Sequence, residues 1–384
     1  MTTNIKRELF SEIKKHQKNI PAIAIVGARQ VGKTTLAKEL VAENENTLFL
    51  DLEKSSDREM IKETEAFLNL HKGKTICFDE VQMMPDLFLS LRNFIDNNSD
   101  TKFILLGSAS PELLRQTAES LAGRIYYFEL SPFLWTEIKQ KTDLKTYQLR
   151  GGMPLSILAK TNEDAFIWLQ NFIKTFLERD LRNFGFNIPP TTLNRLWTML
   201  AHINGQVLNY SQLANSMGVS HTTINNYISI LENTFMLRIL QPYHNNIKKR
   251  LIKAPKIYFR DTGILHSLLQ LENFEDLYTH PVYGTSWEVT VIENIIHKFK
   301  NWNYYYYRTS NGSEIDLILT RGNKKIAIEI KASSIPKVTV GFWNALEDLK
   351  VDKAYIIAQV SMPYPLKNKV MVYPLDEFLT LEND

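Results

Sequence analysis

The segment Gly27–Thr34 has the residue types and the spacing that bind phosphate groups. Its sequence, Gly-Ala-Arg-Gln-Val-Gly-Lys-Thr, matches the pattern G-x-x-x-x-G-K-[ST]. In this pattern glycines let backbone N–H groups curl around phosphate, the lysine reaches the β- and γ-phosphate oxygens, and the hydroxyl ligates Mg²⁺. An ordinary glycine-rich turn is the alternative interpretation. We predict that the segment binds ATP through Gly27, Arg29, Gln30, Val31, Gly32, Lys33, Thr34 and Thr35.

An acidic pair, Asp79-Glu80, is the second candidate for ATP chemistry, because it directly follows the apolar run Thr75–Phe78. Such an arrangement after a phosphate-binding loop is typical of a Walker B motif. We expect Asp79 to hold Mg²⁺, directly or through water, and Glu80 to act as the general base on the attacking water. Ser108, after the apolar run Lys102–Gly107, is a candidate polar sensor near the γ-phosphate. An acidic pair that begins a loop is the alternative.

A third candidate site is predicted by two alternating segments, Glu314–Thr320 and Lys325–Lys331, which flank Gly322-Asn323. If these two residues form a hairpin turn, Asp316 lies directly opposite Glu329. Like charges this close are destabilising, and a divalent cation such as Mg²⁺ or Mn²⁺ would reverse the sign of the interaction. The period of two places Lys331 on the same face as Glu329.

Glu288 falls on the apolar stripe of the helical segment Trp287–Phe299. A carboxylate aimed at a core needs a partner. Asp316 and Glu329 are the metal ligands that the hairpin register predicts, and the role of Glu288 as a further ligand follows only from the family resemblance given below. Arg308 is a candidate phosphate contact. A hairpin with solvated charges is the alternative interpretation.

The elements that position the first two motifs are strands separated by helical patterns. Apolar runs at Ala22–Val26, Leu48–Leu52, Thr75–Phe78 and Lys102–Gly107 fit buried parallel strands, and a helix is expected to begin at Lys33. This alternation predicts an α/β fold with a mostly parallel sheet.

The middle of the chain predicts helices. Residues 163–180 have apolar positions at helical spacing and are expected to continue a helical lid. Further on, Ser211 and Ser220 can cap two helices around a tight turn at Gly218, which predicts a winged helix-turn-helix. The helix after Ser220 has no Lys or Arg, whereas a basic cluster that could approach DNA follows it, formed by Lys248, Lys249, Arg250, Lys253, Lys256 and Arg260. Packing and regulation of an ATPase is the alternative role.

Several of these motifs together resemble a known family. The segments GARQVGKTT, FDEVQ, LLGSAS, Leu121–Arg124 and Arg150–Pro154 are similar to prokaryotic AAA-type ATPases whose C-terminal half is a domain of unknown function. Resemblance to the related STAND ATPases implies that Gly152 and Pro154 contact the nucleotide base. Where STAND proteins carry a sensor arginine this chain has Gly107–Ser110, so Arg124 is the first substitute, with a surface or structural arginine as the alternative interpretation. Arg179 is another candidate arginine. Tyr258–Gly263 resembles a further family signature without a predictable role.

The set Glu288, Asp316, Glu329 and Lys331 resembles the PD-(D/E)xK nucleases. That resemblance implies that the carboxylates bind one or two metal ions, and that the lysine orients water or stabilises the charged phosphate. Glu329 and Lys331 are accordingly the predicted catalytic residues of this site, as Lys33 and Glu80 are for ATP.

Length and composition limit the class of protein. With 384 residues, 44% hydrophobic and 23% charged, the chain fits two or three globular domains, which we predict at 1–150, 151–250 and 251–384. Its net charge of +3 does not by itself indicate nucleic-acid binding. One cysteine allows no internal disulfide framework, and we expect no signal peptide, no membrane span and a cytoplasmic location.

The sequence thus favours an ATPase that regulates a metal-dependent, nuclease-like domain acting on DNA. The alternative is a non-nucleolytic, ATP-dependent switch that binds DNA or a protein partner. AAA-type ATPases commonly form rings and STAND relatives switch between monomer and assembly, so oligomerisation stays open.

Overall fold

The structure is a computed structural model, and it describes residues 5–17, 19–42, 46–97, 100–110, 121–244 and 251–382. Lys248, Lys249 and Arg250 of the basic cluster lie outside the described residues, and the prediction that Lys256 and Arg260 could approach DNA is wrong, because both side chains are buried. The chain forms two compact units. The first comprises Met1–Phe133, Glu178–Asn187 and Ile230–Met236, and the second comprises Leu134–Leu177, Ile188–Ser229 and Leu237–Asp384. This division differs from the three ranges predicted above, because two short segments from the middle of the chain join the first unit.

The strands are, in chain order, β1 (Ala22–Val26), β2 (Thr47–Asp51), β3 (Thr75–Asp79), β4 (Lys102–Gly107), β5 (Ile125–Glu129), β6 (Leu237–Leu240), β7 (Lys256–Phe259), β8 (Asn303–Arg308), β9 (Glu314–Arg321), β10 (Lys324–Lys331), β11 (Lys353–Ala358), β12 (Tyr364–Pro365) and β13 (Met371–Tyr373).

The α-helices are α1 (Glu8–Gln17), α2 (Lys33–Val41), α3 (Ser55–Met60), α4 (Thr64–Leu70), α5 (Leu87–Asn97), α6 (Trp135–Ile138), α7 (Leu144–Arg150), α8 (Pro154–Ile157), α9 (Asn162–Thr175), α10 (Leu181–Asn183), α11 (Pro190–His202), α12 (Tyr210–Met217), α13 (His221–Asn233), α14 (Thr262–Leu268), α15 (Phe274–Thr279), α16 (Tyr283–Lys298), α17 (Val340–Leu349) and α18 (Leu375–Thr380). Short 3-10 turns lie at Val81–Met83 and Lys367–Lys369, and a π-helical turn at Phe176–Asp180.

The first unit is built on a parallel sheet with the strand order β2-β3-β4-β1-β5. The four predicted strands are present, and α2 begins at Lys33 as expected. Strand β5 was missed, because its residues Ile125-Tyr-Tyr-Phe-Glu129 do not form the continuous apolar run of a strand buried on both faces. As an edge strand, β5 needs no such run.

The second unit contains helices α11 and α12, the part of α13 up to Ser229, and the antiparallel pair β6–β7. Gly218 ends α12 in the left-handed conformation and Ser220 accepts from the Thr223 amide at 3.0 Å, as predicted. The prediction that Ser211 caps α12 is wrong. Asn209 is the cap, because its side chain reaches the Gln212 amide at 3.0 Å, whereas Ser211 lies inside the first turn.

The C-terminal part of this unit is a sheet with the strand order β12-β13-β11-β10-β9-β8. Arg321 pairs with Lys324 and Leu317 with Ile328, which confirms the hairpin turn at Gly322-Asn323. Helix α17 packs on this sheet through Phe342. The ladder ends at the Leu317–Ile328 pair, just before the acidic residues predicted to face each other.

Two segments that resemble family motifs, Arg150–Pro154 and Tyr258–Gly263, contact each other within the second unit. The Asp261 carboxylate accepts from the Gly152 amide at 2.7 Å, the Met153 amide at 3.2 Å and the Ile264 amide at 3.0 Å. A Cβ atom at Gly151, which has a φ of 71°, would lie 2.3 Å from an Asp261 oxygen. The segments Arg150–Pro154 and Tyr258–Gly263 therefore form one structural joint.

Candidate functional site

The amine of Lys33 lies inside the predicted phosphate loop. It donates to the carbonyls of Gly27 at 3.1 Å and Ala28 at 2.9 Å, and to the Ser108 hydroxyl at 2.9 Å. Lys33 is buried, which lowers its pKa, while Glu80 and Asp79 oppose that shift. The lysine thus connects the loop after β1 with the end of β4. A γ-phosphate bound at this point would contact both segments.

The Thr34 hydroxyl donates to the Asp79 carboxylate at 2.7 Å. Both residues lie at the carboxyl edge of the parallel sheet, because α2 follows β1 through the loop and Asp79 ends β3. Burial raises the pKa of Asp79, and the Thr34 hydroxyl opposes the rise. A hydroxyl beside a carboxylate is the oxygen donor pair that suits Mg²⁺.

Glu80 follows Asp79 in a left-handed conformation with a φ of 55°. This conformation is uncommon for a residue with a side chain, and such residues cluster at functional sites. One Glu80 oxygen accepts from Ser108 at 3.1 Å, and the other accepts from the Gln82 amide. Ser108 therefore bridges Lys33 and Glu80, the two predicted catalytic residues.

Gly27 and Gly32 have backbone conformations that other residues rarely adopt. Their φ angles are 153° and 101°, and a Cβ at Gly27 would lie 2.2 Å from the Leu130 carbonyl oxygen. The chain after β5 closes against the loop at this point, since the Leu130 amide donates to Val26 at 2.8 Å. Gln30 is also left-handed, with a φ of 60°. The loop is thus held in a strained, pre-formed curl.

Arg7 supports the loop from the N-terminal segment and was not predicted. Its guanidinium donates to the Val31 carbonyl at 3.1 Å and to the Ser131 carbonyl at 2.7 Å, and it lies 4.6 Å from the centre of the Phe133 ring. The sequence around Arg7 resembles any charged helix start, so no local signal could identify this role.

Arg29 belongs to a network of ion pairs on the outer side of the phosphate loop. It forms an ion pair with Asp180 and lies 3.3 Å from Glu53, which also contacts Arg179 at 3.3 Å. Burial raises the pKa of Asp180 to about 6, and Arg29 opposes that rise. Arg179 is 57% exposed and its role as a candidate arginine stays a prediction.

The suggestion that Arg124 substitutes for a γ-phosphate sensor is wrong. The Arg124 carbonyl accepts from the Ala22 amide at 3.2 Å, which places the residue at the amino edge of the sheet. The phosphate loop follows Val26 at the other edge, about 13 Å away for strands of this length. Arg124 instead pairs with Asp96 at 2.9 Å on the surface, which fits the structural interpretation.

The C-terminal carboxylates also approach one another. Asp316 and Glu329 are 7% and 5% exposed, and the Lys331 amine lies 2.7 Å from the Glu329 carboxylate. An Asp316 oxygen accepts from the Ile330 amide at 2.9 Å, which replaces the next ladder bond of the hairpin. The Oε2 atom of Glu329 is buried and has no hydrogen-bond partner among the described residues.

Glu288 joins these residues from α16. It accepts from the Tyr258 hydroxyl at 2.7 Å, and Tyr258 lies on β7. Burial raises the pKa values of Glu288 and Glu329, and the Asp316 carboxylate raises both further. Three elements therefore bring the predicted carboxylates within electrostatic reach, as the helix and strand pattern indicated.

Lys256 also lies at this site, whereas the sequence placed it in the basic cluster that could approach DNA. Its amine lies 2.8 Å from a Glu314 oxygen and 3.8 Å from an Asp316 oxygen, and its side chain is 4% exposed. Burial would lower its pKa, but the carboxylates of Asp316, Glu288 and Glu314 raise it above the ordinary value. The lysine is therefore a buried cation.

The donor chemistry of the site fits a hard divalent cation, because it consists of carboxylates and Glu329 has an unsatisfied buried oxygen. The geometry differs from the expected metal centre. In the part of the chain that the structure describes, no three His, Cys, Asp or Glu side chains form a group that could hold a metal ion. Lys256 and Lys331 neutralise the carboxylates instead. Binding of Mg²⁺ or Mn²⁺ here stays a prediction.

Other predicted residues are less enclosed. Arg308 is 43% exposed and lies 3.6 Å from Glu314, so it could reach a ligand at the rim. The amides of Gly152 and Met153 donate hydrogen bonds to the Asp261 carboxylate. The contact of Gly152 and Pro154 with a nucleotide base stays a prediction that these bonds do not support. None of the described helices is long and apolar enough to span a membrane.

Three family models match successive parts of the chain. An AAA domain matches residues 19–139, a domain of unknown function (DUF8612) matches 141–275, and a second domain of unknown function (DUF4143) matches 283–378. The AAA match covers the phosphate loop, Asp79, Glu80 and Ser108. Lys256 lies in the second match, and the carboxylates lie in the third.

Relatives match almost the whole chain. An uncharacterised protein of Mycobacterium tuberculosis is 36% identical over 98% of this chain and 85% of its own length. One of Methanocaldococcus jannaschii is 22% identical over 98% and 88%. Among solved structures, a Walker-type ATPase of Pyrococcus abyssi is similar over 69% of this chain and 96% of its own, with 14% identity and a TM-score of 0.50, which supports the fold.

Proposed function

Because the chain belongs to the family of the mycobacterial protein and carries the AAA domain of a P-loop ATPase, we propose that its ATP turnover regulates a metal-dependent, nuclease-like C-terminal site that acts on DNA. The proposed activity of the C-terminal site rests on one observation. Glu288 from α16, Asp316 from β9, and Glu329 and Lys331 from β10 lie together with an unsatisfied buried carboxylate oxygen.

In the ATPase site the backbone of Gly27–Thr34 would cradle the β- and γ-phosphates, with Gln30, Val31 and Thr35 contributing through the loop and the helix start. Lys33 would exchange its carbonyl contacts for phosphate oxygens. Glu80, fixed by Ser108 and Gln82, would align the attacking water and accept its proton. Thr34 and Asp79 would hold Mg²⁺, which neutralises phosphate charge when bound.

In the C-terminal site Glu288, Asp316 and Glu329 would hold a divalent cation, which would supply Lewis-acid chemistry at a phosphodiester. Lys331, held 2.7 Å from Glu329, would orient water or stabilise the charged phosphate. Arg308 at the rim would contact a neighbouring phosphate. Lys331 and Glu329 are the groups that would contact the reacting atoms.

The test is cleavage of labelled single-stranded, duplex and branched DNA with Mg²⁺ or Mn²⁺, with and without ATP. Wild type is compared with Asp316→Ala, Lys331→Ala and the rim variant Arg308→Ala. We expect both Asp316→Ala and Lys331→Ala to abolish cleavage. Cleavage by Asp316→Ala at the wild-type rate, or no cleavage of any substrate by wild type, would reject the nuclease assignment.

A second candidate function is an ATP-dependent switch that binds DNA or a protein without cutting it. It is favoured by the arrangement of the C-terminal site, where two lysines already neutralise the carboxylates. Neutralising Lys248, Lys249 and Arg250 should weaken DNA binding and reduce its salt dependence if DNA is the partner. An unchanged salt dependence would favour a protein partner.

A further inference from the structure

Lys256 enters the carboxylate site from outside the six-stranded sheet. It begins β7, which pairs with β6 in a separate two-stranded sheet, and it lies opposite Leu240 in that pair. Its amine contacts Glu314 at 2.8 Å and faces Asp316 at 3.8 Å, above the Tyr306 ring at 5.5 Å. A cation on one element is thus inserted among carboxylates on others.

The Lys256 amine lies among carboxylates that include Asp316 and Glu288, two of the proposed ligands of a divalent cation. Asp316 uses one oxygen for the Ile330 amide and directs the other toward Lys256. Glu288 uses one oxygen for Tyr258, and the free buried oxygen of Glu329 completes the set. A fixed ammonium and a metal ion that share the same carboxylates repel each other strongly in a buried site.

We propose that Lys256 is a tethered cation that excludes divalent metal from the C-terminal site, so that the site accepts metal only when β7 withdraws the lysine. This inference rests on the proposed assignment of Glu288, Asp316 and Glu329 as cation ligands. Tyr258, two residues along β7, binds Glu288. A shift of β7 therefore removes the cation and frees a carboxylate in a single movement.

The test is Mn²⁺ binding to the nucleotide-free, full-length chain, measured by calorimetry and by electron paramagnetic resonance. We expect wild type to bind Mn²⁺ weakly and Lys256→Met to bind it at least about tenfold more tightly, since the competing charge is gone. Adding Asp316→Asn to Lys256→Met should abolish the gain. Folding of each variant is checked by circular dichroism and by retained ATP binding.

Three further variants make the result specific. Lys256→Arg keeps the charge and should bind Mn²⁺ as weakly as wild type, and so should Lys253→Met, which removes an exposed lysine nearby. Lys256→Gln should bind tightly and substitutes for Lys256→Met if that variant fails to fold. Equal Mn²⁺ affinity in wild type and in a folded Lys256→Met or Lys256→Gln variant would overturn the inference.

This readout is independent of cleavage. If Lys256→Met binds Mn²⁺ tightly but cuts no DNA, the nuclease assignment fails and the inference stands. If wild type cuts DNA and binds Mn²⁺ as tightly as the variant, the inference fails and the nuclease assignment stands.

Discussion

Lys33 and Glu80 both contact Ser108, yet we expect their replacement to affect different steps, nucleotide binding for Lys33 and turnover for Glu80. Lys33→Ala removes the cation that reaches the phosphates, so we expect it to abolish nucleotide binding. Glu80→Gln keeps the shape and the Ser108 contact but removes the base, so binding should persist while turnover falls by about 100-fold or more. Binding is measured with a fluorescent nucleotide and turnover by phosphate release.

Glu59→Gln is the matched control, because Glu59 is an exposed glutamate in the same unit that pairs with Lys62. It should leave binding and turnover at wild-type values. Wild-type turnover by Glu80→Gln would rule out the general-base role.

Single residues could be predicted from sequence where the chemistry is local. The P-loop residues follow one another along the chain, so their types and spacing carry the whole signal. Lys256 and Arg7 have no such signal, because the partners of each are distant in sequence: Glu314 and Asp316 for Lys256, Ser131 for Arg7. Their neighbours in sequence indicate a basic cluster around Lys256 and a charged helix start around Arg7, and neither pattern predicts these contacts.

Prediction of helices and strands from the sequence has the same limit. The hairpin of β9 and β10 could be predicted in register, because a two-residue turn and a period of two determine it. The edge strand β5 could not, since only its position in the sheet explains its mixed pattern. The joint between Arg150–Pro154 and Tyr258–Gly263 also depends on tertiary contact, which a motif without an alternation or a cap does not reveal.

His266 gives a prediction for helix α14 and its neighbours. The imidazole is buried between the Leu149 carbonyl and the Ser286 hydroxyl, each at 2.8 Å, and burial lowers its pKa to about 4. The ordinary value is 6.5, so the folded state disfavours the protonated form. The contribution of the neutral His266 imidazole to the free energy of unfolding is fully present above pH 6.5. It decreases by up to about 3 kcal/mol as the pH falls toward 4.

The measurement is the melting temperature of the nucleotide-free protein between pH 7.5 and pH 4.5. His266→Gln should lower the melting temperature at pH 7.5 and make its fall with decreasing pH shallower than in wild type. His202→Gln, at an exposed position on α11, should retain the wild-type slope. A wild-type slope in His266→Gln would contradict the assignment.

At the scale of the whole molecule, a path of hydrogen bonds and chain segments connects the ATP site to the carboxylate site. Ser108 bridges Lys33 and Glu80, and two residues later the Ser110 amide and hydroxyl donate to Asn233 at 2.8 and 2.9 Å. Asn233 ends α13, and the chain then continues through Met236 into β6, whose partner β7 begins with Lys256. We therefore expect that a change at the end of β4 is transmitted along this chain to β7.

Asn233→Ala tests this path, because it removes the side-chain half of the Ser110 contact while leaving the ATP site intact. Hydrogen–deuterium exchange is followed at the amides of β7 and of Gly27–Thr34, with and without ATP and Mg²⁺. In wild type we expect ATP to change exchange at both places. In Asn233→Ala the response should remain at the phosphate loop and weaken at β7, whereas Asn225→Ala, at an exposed position of the same helix, should behave as wild type. An undiminished response of β7 in Asn233→Ala would show that nucleotide state reaches Lys256 by another route.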